Sequence, residues 1–181
     1  MKLLLHTCCA PCSVYCIKTL RAENIEPTLY WYNPNIHPYA EYKARRNCLV
    51  EYAKQKKVEL ILEDAYGLDE FCKNVANKIQ TRCQDYCYPK RFRQVFQYAK
   101  EHGFDYFTTT LSISPYKNSE KLNSIGKKLE DKYDVLYLLS DFKKKNGYKR
   151  SIELSREYNL YRQNYCGCIY SQKASLNLEK N

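Results

Sequence analysis

The sequence has few of the features that mark secreted, membrane-spanning or disordered chains. Its 181 residues include only five glycines and six prolines, and no segment has the composition of a linker, an internal repeat or a low-complexity tract. The apolar run Leu3-Leu4-Leu5 is far shorter than the apolar part of a secretory signal, and no stretch approaches the ~20 apolar residues of a membrane span. We therefore expect a cytoplasmic protein without membrane contact, in which thiols stay reduced.

Acidic residues are also scarce relative to basic ones. Twenty Asp and Glu oppose thirty Lys and Arg, which gives a net charge of +10 and a pI near 9.0. Such a balance favours a polyanionic partner. The chain also has nineteen tyrosines, and aromatic rings interleaved with cations are suited to stacking on unpaired nucleotide bases. AT-rich coding bias produces the same composition, so nucleic-acid binding is one of two interpretations.

Strand patterns and helix patterns alternate along the chain. The predicted strands are 2–6, 27–35, 58–64, 104–112 and 134–139, and the predicted helices are 13–23, 39–57, 68–79, 148–159 and two segments centred on Phe96 and Ile125. This alternation predicts one α/β domain, residues 1–181, with a parallel sheet covered by helices on both faces. Ligands in such folds bind at the carboxyl ends of the strands. Segments 8–9, 112–117 and 141–144 each follow a strand and should converge there.

Ten cysteines are too few for a disulfide scaffold and suggest metal binding or redox chemistry instead. Seven of them form three groups: Cys8, Cys9 and Cys12; Cys83 and Cys87; Cys166 and Cys168. The remaining three, Cys16, Cys48 and Cys72, are interpreted as small buried apolar residues. Thiolates that share a pocket repel one another and require a cation, which a metal supplies. The unequal spacing of the groups favours an iron–sulfur cluster over a closed zinc site.

The segment Cys166-Gly167-Cys168 suggests a different chemistry. A disulfide across one intervening residue is cramped, so it would be strained and easily reduced. Such a bond is a candidate for passing electrons. The alternative is that one or both of these cysteines bind metal.

Five segments together resemble a known family: "LLLHTCCAPCS", "YWYNPNIHPYAEYKARR", "RCQDYCYPKR", "FTTTLSISPYKN" and "YCGCIYS". They are similar, in this order and from residue 2 to about 171, to the non-cobalamin epoxyqueuosine reductases. The resemblance implies a fold related to the adenine-nucleotide alpha hydrolase group, with a [4Fe-4S] cluster. It also implies reduction of epoxyqueuosine to queuosine at the tRNA wobble position, the last step of queuosine biosynthesis.

The resemblance also implies roles for individual cysteines. Carried over by motif, the cluster ligands are Cys8, Cys9, Cys83 and Cys87, and Cys166 with Cys168 is the redox-active pair. The family usually spaces its second pair C-x2-C, whereas this chain has three residues between Cys83 and Cys87, which we interpret as a one-residue insertion. Many relatives carry Asp at the position of Cys12, and either residue could be an extra iron ligand.

Reduction of an epoxide to an alkene requires two electrons, two protons and loss of the oxygen as water. We hypothesise that an additional mononuclear iron, with Cys12 as a ligand, acts as a Lewis acid on the epoxide oxygen. Candidates for protonating that oxygen are His6, Tyr116 and Asp141. His6 could equally be a hydrogen-bonded histidine at a strand end, and Asp141 could instead pair with a neighbouring lysine.

The expected partners are tRNA carrying epoxyqueuosine and an electron donor that the sequence does not identify. Cations predicted to contact tRNA phosphates are Arg45, Arg46, Lys117, Lys143, Lys144, Lys145, Lys149 and Arg150. The aromatic residues Trp31 and Tyr32, at the end of the second predicted strand, could stack on an extruded base or could belong to the core.

Three other functions remain open from the sequence. A zinc-stabilised RNA-binding module would be colourless, whereas a cluster makes the protein brown. A thiol oxidoreductase acting through Cys166 and Cys168 alone would keep its activity after Cys8→Ala and Cys83→Ala. An ATP-dependent tRNA-thiolating enzyme is disfavoured because the first loop, "HTCCAPCS", has no glycine to let backbone amides approach a phosphate.

Overall fold

The fold is built on one parallel sheet of five short strands, seen in a computed structural model that describes residues 1–178. The strands are β1 (Leu3–His6), β2 (Pro27–Trp31), β3 (Leu60–Leu62), β4 (Tyr106–Thr109) and β5 (Leu136–Tyr137). Their order is β3-β2-β1-β4-β5, and Leu5 pairs with Leu29 on one side and Thr108 on the other. The predicted α/β class with a parallel sheet is confirmed. The strand order reverses between the adjacent strands β1 and β4. Doubly wound folds bind ligands at such a reversal.

Helices cover both faces of this sheet. They are α1 (Ala10–Ala22), α2 (Tyr39–Lys56), α3 (Leu68–Val75), α4 (Tyr88–Glu101), α5 (Ser119–Tyr133), α6 (Gly147–Glu157) and α7 (Ile169–Leu178). Helix α7 was not predicted, because its apolar residues do not collect on one side as they do in α4. A single turn of π-helix, Cys83–Cys87, precedes α4, and a short 3-10 turn, Thr110–Ile113, follows β4.

Two hydrophobic clusters lie on opposite faces of the sheet because alternate residues of a strand point in opposite directions. Leu3 and Leu5 of β1 pack with α1, α2 and α6, whereas Leu4 packs with α3, α4 and α5. The predicted stripe of α4, which includes Phe92 and Phe96, is fully buried. Each such side chain contributes about 2 kcal/mol of burial free energy.

Helix α5 approaches the sheet closely because it has a glycine at the contact. A Cβ at Gly126 would lie 2.5 Å from the ring of Tyr137 in β5, so a larger residue would push the helix away. Among the described residues, none of the helices combines the length and the apolar character needed to cross a bilayer.

Candidate metal and thiol site

Three thiols meet in the loop between β1 and α1. Strand β1 ends at His6, Cys9 is the extended residue that caps α1, and Pro11 occupies the first turn of that helix. The bend places Sγ of Cys8 3.8 Å from Sγ of Cys9, although adjacent residues on a regular strand would point apart. The Sγ of Cys12 joins them, and all three atoms lie within 4.8 Å of one another. The predicted bend and the predicted proximity of these cysteines are confirmed.

The pKa values of these three thiols are shifted in opposite directions. Hydrogen bonds from Cys12 and Cys9 hold the pKa of Cys8 well below its usual value, despite burial. Burial raises the pKa of Cys9, and the hydrogen bond to Cys8 is the largest cause of the raised pKa of Cys12. Because metal ligands are deprotonated thiolates, a bound metal would displace the protons that these thiols carry.

A residue that the sequence did not single out contacts this thiol group. Nε2 of Gln163 donates to Sγ of Cys9 at 3.2 Å and lies 3.9 Å from Sγ of Cys12. Its Oε1 is buried and has no hydrogen-bond partner among the described residues. No sequence pattern connects Gln163 with the first loop, since 151 positions separate it from Cys12.

The second pair, Cys83 and Cys87, lies on the π turn before α4. The hydrogen bond from Cys87 lowers the pKa of Cys83 to about 5, and the same bond is the largest cause of the raised pKa of Cys87. Within residues 1–178, the only set of three or more Cys, His, Asp or Glu ligand atoms closer than 4.8 Å is Cys8, Cys9 and Cys12. The two groups are nevertheless affected by the same cation. The charge of Lys117 helps to lower the pKa of Cys8 in the first group and of Cys83 in the second.

The third pair, Cys166 and Cys168, contacts two cations, Lys117 and Arg82. Nζ of Lys117 donates to Sγ of Cys166 at 2.9 Å, and Nε of Arg82 donates to Sγ of Cys168 at 3.3 Å. Cys166 is exposed, whereas Cys168 is only 3% exposed. Six of the seven grouped cysteines belong to or pack against one hydrophobic cluster, and the seventh, Cys166, contacts Lys117.

Comparison with known proteins identifies the family. A family model described as epoxyqueuosine reductase QueH matches residues 3–174. The chain belongs to the epoxyqueuosine reductase QueH family. The relative from Streptococcus pyogenes serotype M1 is 40% identical over 94% of this chain and 70% of its own length. The relative from Dehalococcoides mccartyi is 36% identical over 94% of this chain and 92% of its own.

A solved structure also aligns with the QueH-family chain. It is described as a predicted subunit of tRNA methyltransferase from Methanocaldococcus jannaschii, and the two are 18% identical with a TM-score of 0.48. The alignment covers 86% of this chain and 75% of that chain.

The π turn lies where the spacing of Cys83 and Cys87 differs from the spacing expected of the QueH family. One residue inserted into an α-helix, without interruption of the flanking turns, produces a π-bulge, and such bulges are frequent at functional sites. Here the π turn spans Cys83 to Cys87, and the backbone amide of Tyr88 donates to the carbonyl oxygen of Cys83. The π turn runs directly into α4, which begins at Tyr88.

The structure corrects the role that was predicted for His6 in this QueH-family chain. The ring is fully buried, its Nδ1 lies 2.9 Å from Oγ1 of Thr109, and its Nε2 lies 3.3 Å from the carbonyl oxygen of Tyr32. Burial is the largest cause that lowers the pKa of His6 to about 3. The imidazole is neutral and both nitrogens are engaged, so it is a hydrogen-bonded strand-end histidine and not a proton donor to a substrate.

The other two candidate proton donors lie elsewhere on the same edge. Oδ1 of Asp141 accepts a hydrogen bond from Ser119 at 2.9 Å and lies 3.8 Å from Nζ of Lys143, which is the lysine pairing that the sequence allowed. Tyr116 is 90% exposed beside Lys117. A catalytic role for Asp141 stays a prediction.

Several cations predicted to contact tRNA are engaged within the protein. Arg45 was expected to reach tRNA phosphates from the surface but is 1% exposed, because its guanidinium pairs with Glu41 and donates to the carbonyls of Tyr165 and Cys166. This prediction was wrong. Lys117 is directed at Cys166 in place of the solvent. The aromatic residues Trp31 and Tyr32 are buried and belong to the core.

The remaining predicted cations lie at or near the surface. Arg46 pairs with Asp64, Arg150 pairs with Glu153, and Lys143 donates to Oγ of Ser119 at 2.8 Å. Lys144, Lys145 and Lys149 are exposed, and none of them forms a salt bridge with a described residue. Lys144 and Lys145 line a cavity of about 450 Å³ beside Asp141.

Proposed function

We propose that this protein reduces epoxyqueuosine to queuosine at the wobble position of tRNA. The observation that carries the proposal is the gathering of Cys8, Cys9 and Cys12 within 4.8 Å at the carboxyl end of the sheet. The family supports it, because the relatives at 33–40% identity are named epoxyqueuosine reductase QueH. The proposed enzyme is thus an oxidoreductase of tRNA modification that acts in the cytoplasm, where thiols stay reduced.

The donor set fits an iron–sulfur cluster. All of the proposed ligands, Cys8 and Cys9 on one loop and Cys83 and Cys87 on another, are thiols, the ligand type that iron–sulfur clusters take. Cys12 provides a further thiol for an additional mononuclear iron. When bound, a [4Fe-4S] cluster would pass electrons one at a time.

The chain itself supplies two further elements of the reaction. Cys166 and Cys168 form a dithiol that can release two electrons and two protons, the number that conversion of the epoxide to an alkene and water requires. Lys117 and Arg82 hold this dithiol beside the ligand loops. Gln163 donates to Cys9 and fixes the orientation of that thiol.

The tRNA is proposed to bind through the exposed cations that follow β5. Lys144, Lys145 and Lys149 are free of salt bridges among the described residues, and they lie at the same end of the sheet as the thiols. Phosphate contacts would position the anticodon loop, and the modified base would be splayed out of the loop toward the thiols.

The test begins with anaerobic purification and measurement of iron and sulfide per chain. Purified protein is then incubated with a chemical reductant and with tRNA from a strain that lacks epoxyqueuosine reductase, and the nucleosides are measured by mass spectrometry. We expect brown protein and conversion of epoxyqueuosine to queuosine. Colourless protein that contains zinc and leaves the nucleoside unchanged would favour the RNA-binding module.

Matched cysteine variants separate the cluster from the dithiol. Cys9→Ser and Cys83→Ser should lose iron and activity, because each removes one proposed ligand. Cys48→Ser and Cys72→Ser are the controls, since both residues are half-buried cysteines outside the three groups, and they should keep both properties. Full activity in Cys9→Ser and Cys83→Ser would point to a thiol oxidoreductase acting through Cys166 and Cys168 alone.

A further inference from the structure

The two thiols of the Cys166–Cys168 pair have different surroundings. Cys166 is exposed, and its sulfur accepts a hydrogen bond from Nζ of Lys117 at 2.9 Å. Cys168 is 3% exposed, and its sulfur accepts from Nε of Arg82 at 3.3 Å. Each sulfur therefore has its own cation, but only one of them can be reached by a large molecule in solution.

The loop that carries the pair is fixed in this orientation. Nη1 of Arg45 donates to the carbonyl oxygen of Cys166 at 3.0 Å, and the carbonyl of Gly167 accepts from the backbone amide of His37 at 2.7 Å. Oγ of Ser171 lies 3.5 Å from Sγ of Cys168 and anchors it to the start of α7. An exchange of the two sulfurs between surface and interior would break these contacts.

From this asymmetry we propose that the redox pair has a fixed polarity, in which Cys166 receives electrons from an external dithiol and Cys168 is the internal leaving sulfur. The inference rests on the proposed function only in that the pair is redox-active. The electron donor is thereby assigned a chemical class: a protein dithiol small enough at its tip to reach Cys166.

The exchange balances as follows. A thiolate of the donor attacks Sγ of Cys166 in the Cys166–Cys168 disulfide, a donor–Cys166 disulfide forms, and Cys168 leaves as a thiolate beside Arg82. The donor's second thiolate then attacks its own partner sulfur, and Cys166 leaves as a thiolate beside Lys117. The donor is oxidised from dithiol to disulfide, and the pair takes up two electrons and two protons. Cations beside both leaving sulfurs favour these steps, because a stabilised thiolate leaves faster.

The experiment traps the intermediate disulfide in the full-length protein. Mildly oxidised protein is incubated with a thioredoxin whose resolving cysteine is replaced by serine, quenched in acid, digested with trypsin and analysed by fragmentation mass spectrometry. Both sulfurs lie on one tryptic peptide, residues 163–173, so fragmentation assigns the linkage. We expect linkage at Cys166 to exceed linkage at Cys168 by about tenfold or more. Linkage mainly at Cys168, equal linkage or none at either sulfur would overturn the proposal.

Two lysine variants test the part of Lys117 as a positioning residue. Lys117→Met should slow alkylation of reduced Cys166 by iodoacetamide by about tenfold, and Lys117→Arg should restore most of the rate because it keeps the cation. Lys121→Met is the control, since Lys121 is exposed and donates to Gln84. A rate unchanged in Lys117→Met would remove Lys117 from the proposal.

These readouts do not depend on reduction of the nucleoside. If epoxyqueuosine is not converted but the trap forms at Cys166, the proposed substrate fails and the polarity stands. If conversion occurs and the trap forms at Cys168, the polarity alone fails. Iron per chain is measured for each variant so that loss of metal is not mistaken for loss of polarity.

Discussion

The guanidinium of Arg45 in α2 donates to the carbonyl oxygen of Cys166 at 3.0 Å, across 121 positions of the sequence. The same side chain pairs with Glu41 at 2.6 Å, and this carboxylate is itself only 11% exposed. A buried cation on one helix thus holds the loop that presents an exposed thiol. Arg45 and its neighbour Arg46 were both predicted to contact tRNA. Because they differ in burial, we expect their substitution to change the free energy of unfolding by different amounts.

Arg45→Met should lower the free energy of unfolding by about 3 kcal/mol, because it removes the only cation paired with the largely buried Glu41 carboxylate among the described residues and leaves Tyr161 as its side-chain donor. Arg46→Met is the control and should change it by less than about 1 kcal/mol, since the side chains of its pair with Asp64 are 21% and 50% exposed. Urea unfolding monitored by circular dichroism measures both. Equal losses in the two variants would contradict the burial of Arg45.

Gly167 should not tolerate alanine. Its φ is +143°, and an added Cβ would lie 3.2 Å from Cγ1 of Ile36 and 3.3 Å from Nη1 of Arg45. We expect Gly167→Ala to cost about 1–3 kcal/mol of unfolding free energy and to disturb both neighbouring thiols.

Gly103→Ala is the matched control for Gly167→Ala. Gly103 also has a positive φ, +66°, but apart from its chain neighbours no described atom lies within 4 Å of an added Cβ. It should cost about 1 kcal/mol and leave the alkylation rate of Cys166 unchanged. If both variants alkylate at the wild-type rate, the conformation of the Cys166–Cys168 loop does not depend on glycine.

The free energy of unfolding should fall on acidification because of the buried residue His37. Burial lowers the pKa of His37 from 6.5 to about 4, and its ring packs between Tyr66 and Phe71. Between these two pKa values the unfolded chain binds a proton that the folded chain excludes, so stability is present above pH 6.5 and is lost as the pH falls. From pH 7 to pH 5 the loss is about 2 kcal/mol.

His37→Gln should remove this loss of unfolding free energy between pH 7 and pH 5. Unfolding free energies of wild type and variant, measured at pH 5, 6 and 7 in the same metal state, test the difference. Parallel curves would show that His37 titrates equally in the folded and unfolded chains.

Binding of tRNA should depend on salt through the cations that follow β5. Lys144→Ala and Lys149→Ala should each weaken binding and reduce the slope of log K against log[salt] by about 0.7 to 0.9, the value for one phosphate contact. Lys100→Ala is the control, because Lys100 lies in the last turn of α4, beside the start of β4 and therefore at the opposite end of the sheet. Slopes unchanged in all three variants would place the tRNA elsewhere.

Much of the fold was predictable because it follows from local periodicity. Alternating strand and helix patterns gave the parallel sheet, and the rule that ligands gather at the carboxyl ends of strands placed Cys8 and Lys117 on one edge. The predicted segment 134–139 forms only the two-residue strand Leu136–Tyr137, since pairing with β4 is limited to these residues. Helix α7 lacked the one-sided apolar pattern that prediction requires.

The details of the site were less predictable because they depend on contacts between distant segments. A sequence shows that Arg45 is charged but not that two backbone carbonyls 120 and 121 positions away accept its hydrogen bonds. The same holds for Gln163 and Cys9. For His6, the pattern allowed either a strand-end role or a catalytic one, and only burial together with its partner Thr109 decides between them.

The thiols of Cys8, Cys9 and Cys87 are themselves members of the hydrophobic cluster that packs under α4. An uncharged thiol behaves as a small apolar group, and the rest of that cluster consists largely of aliphatic and aromatic side chains. The side chains proposed as metal ligands therefore also contribute to the apolar packing beneath α4.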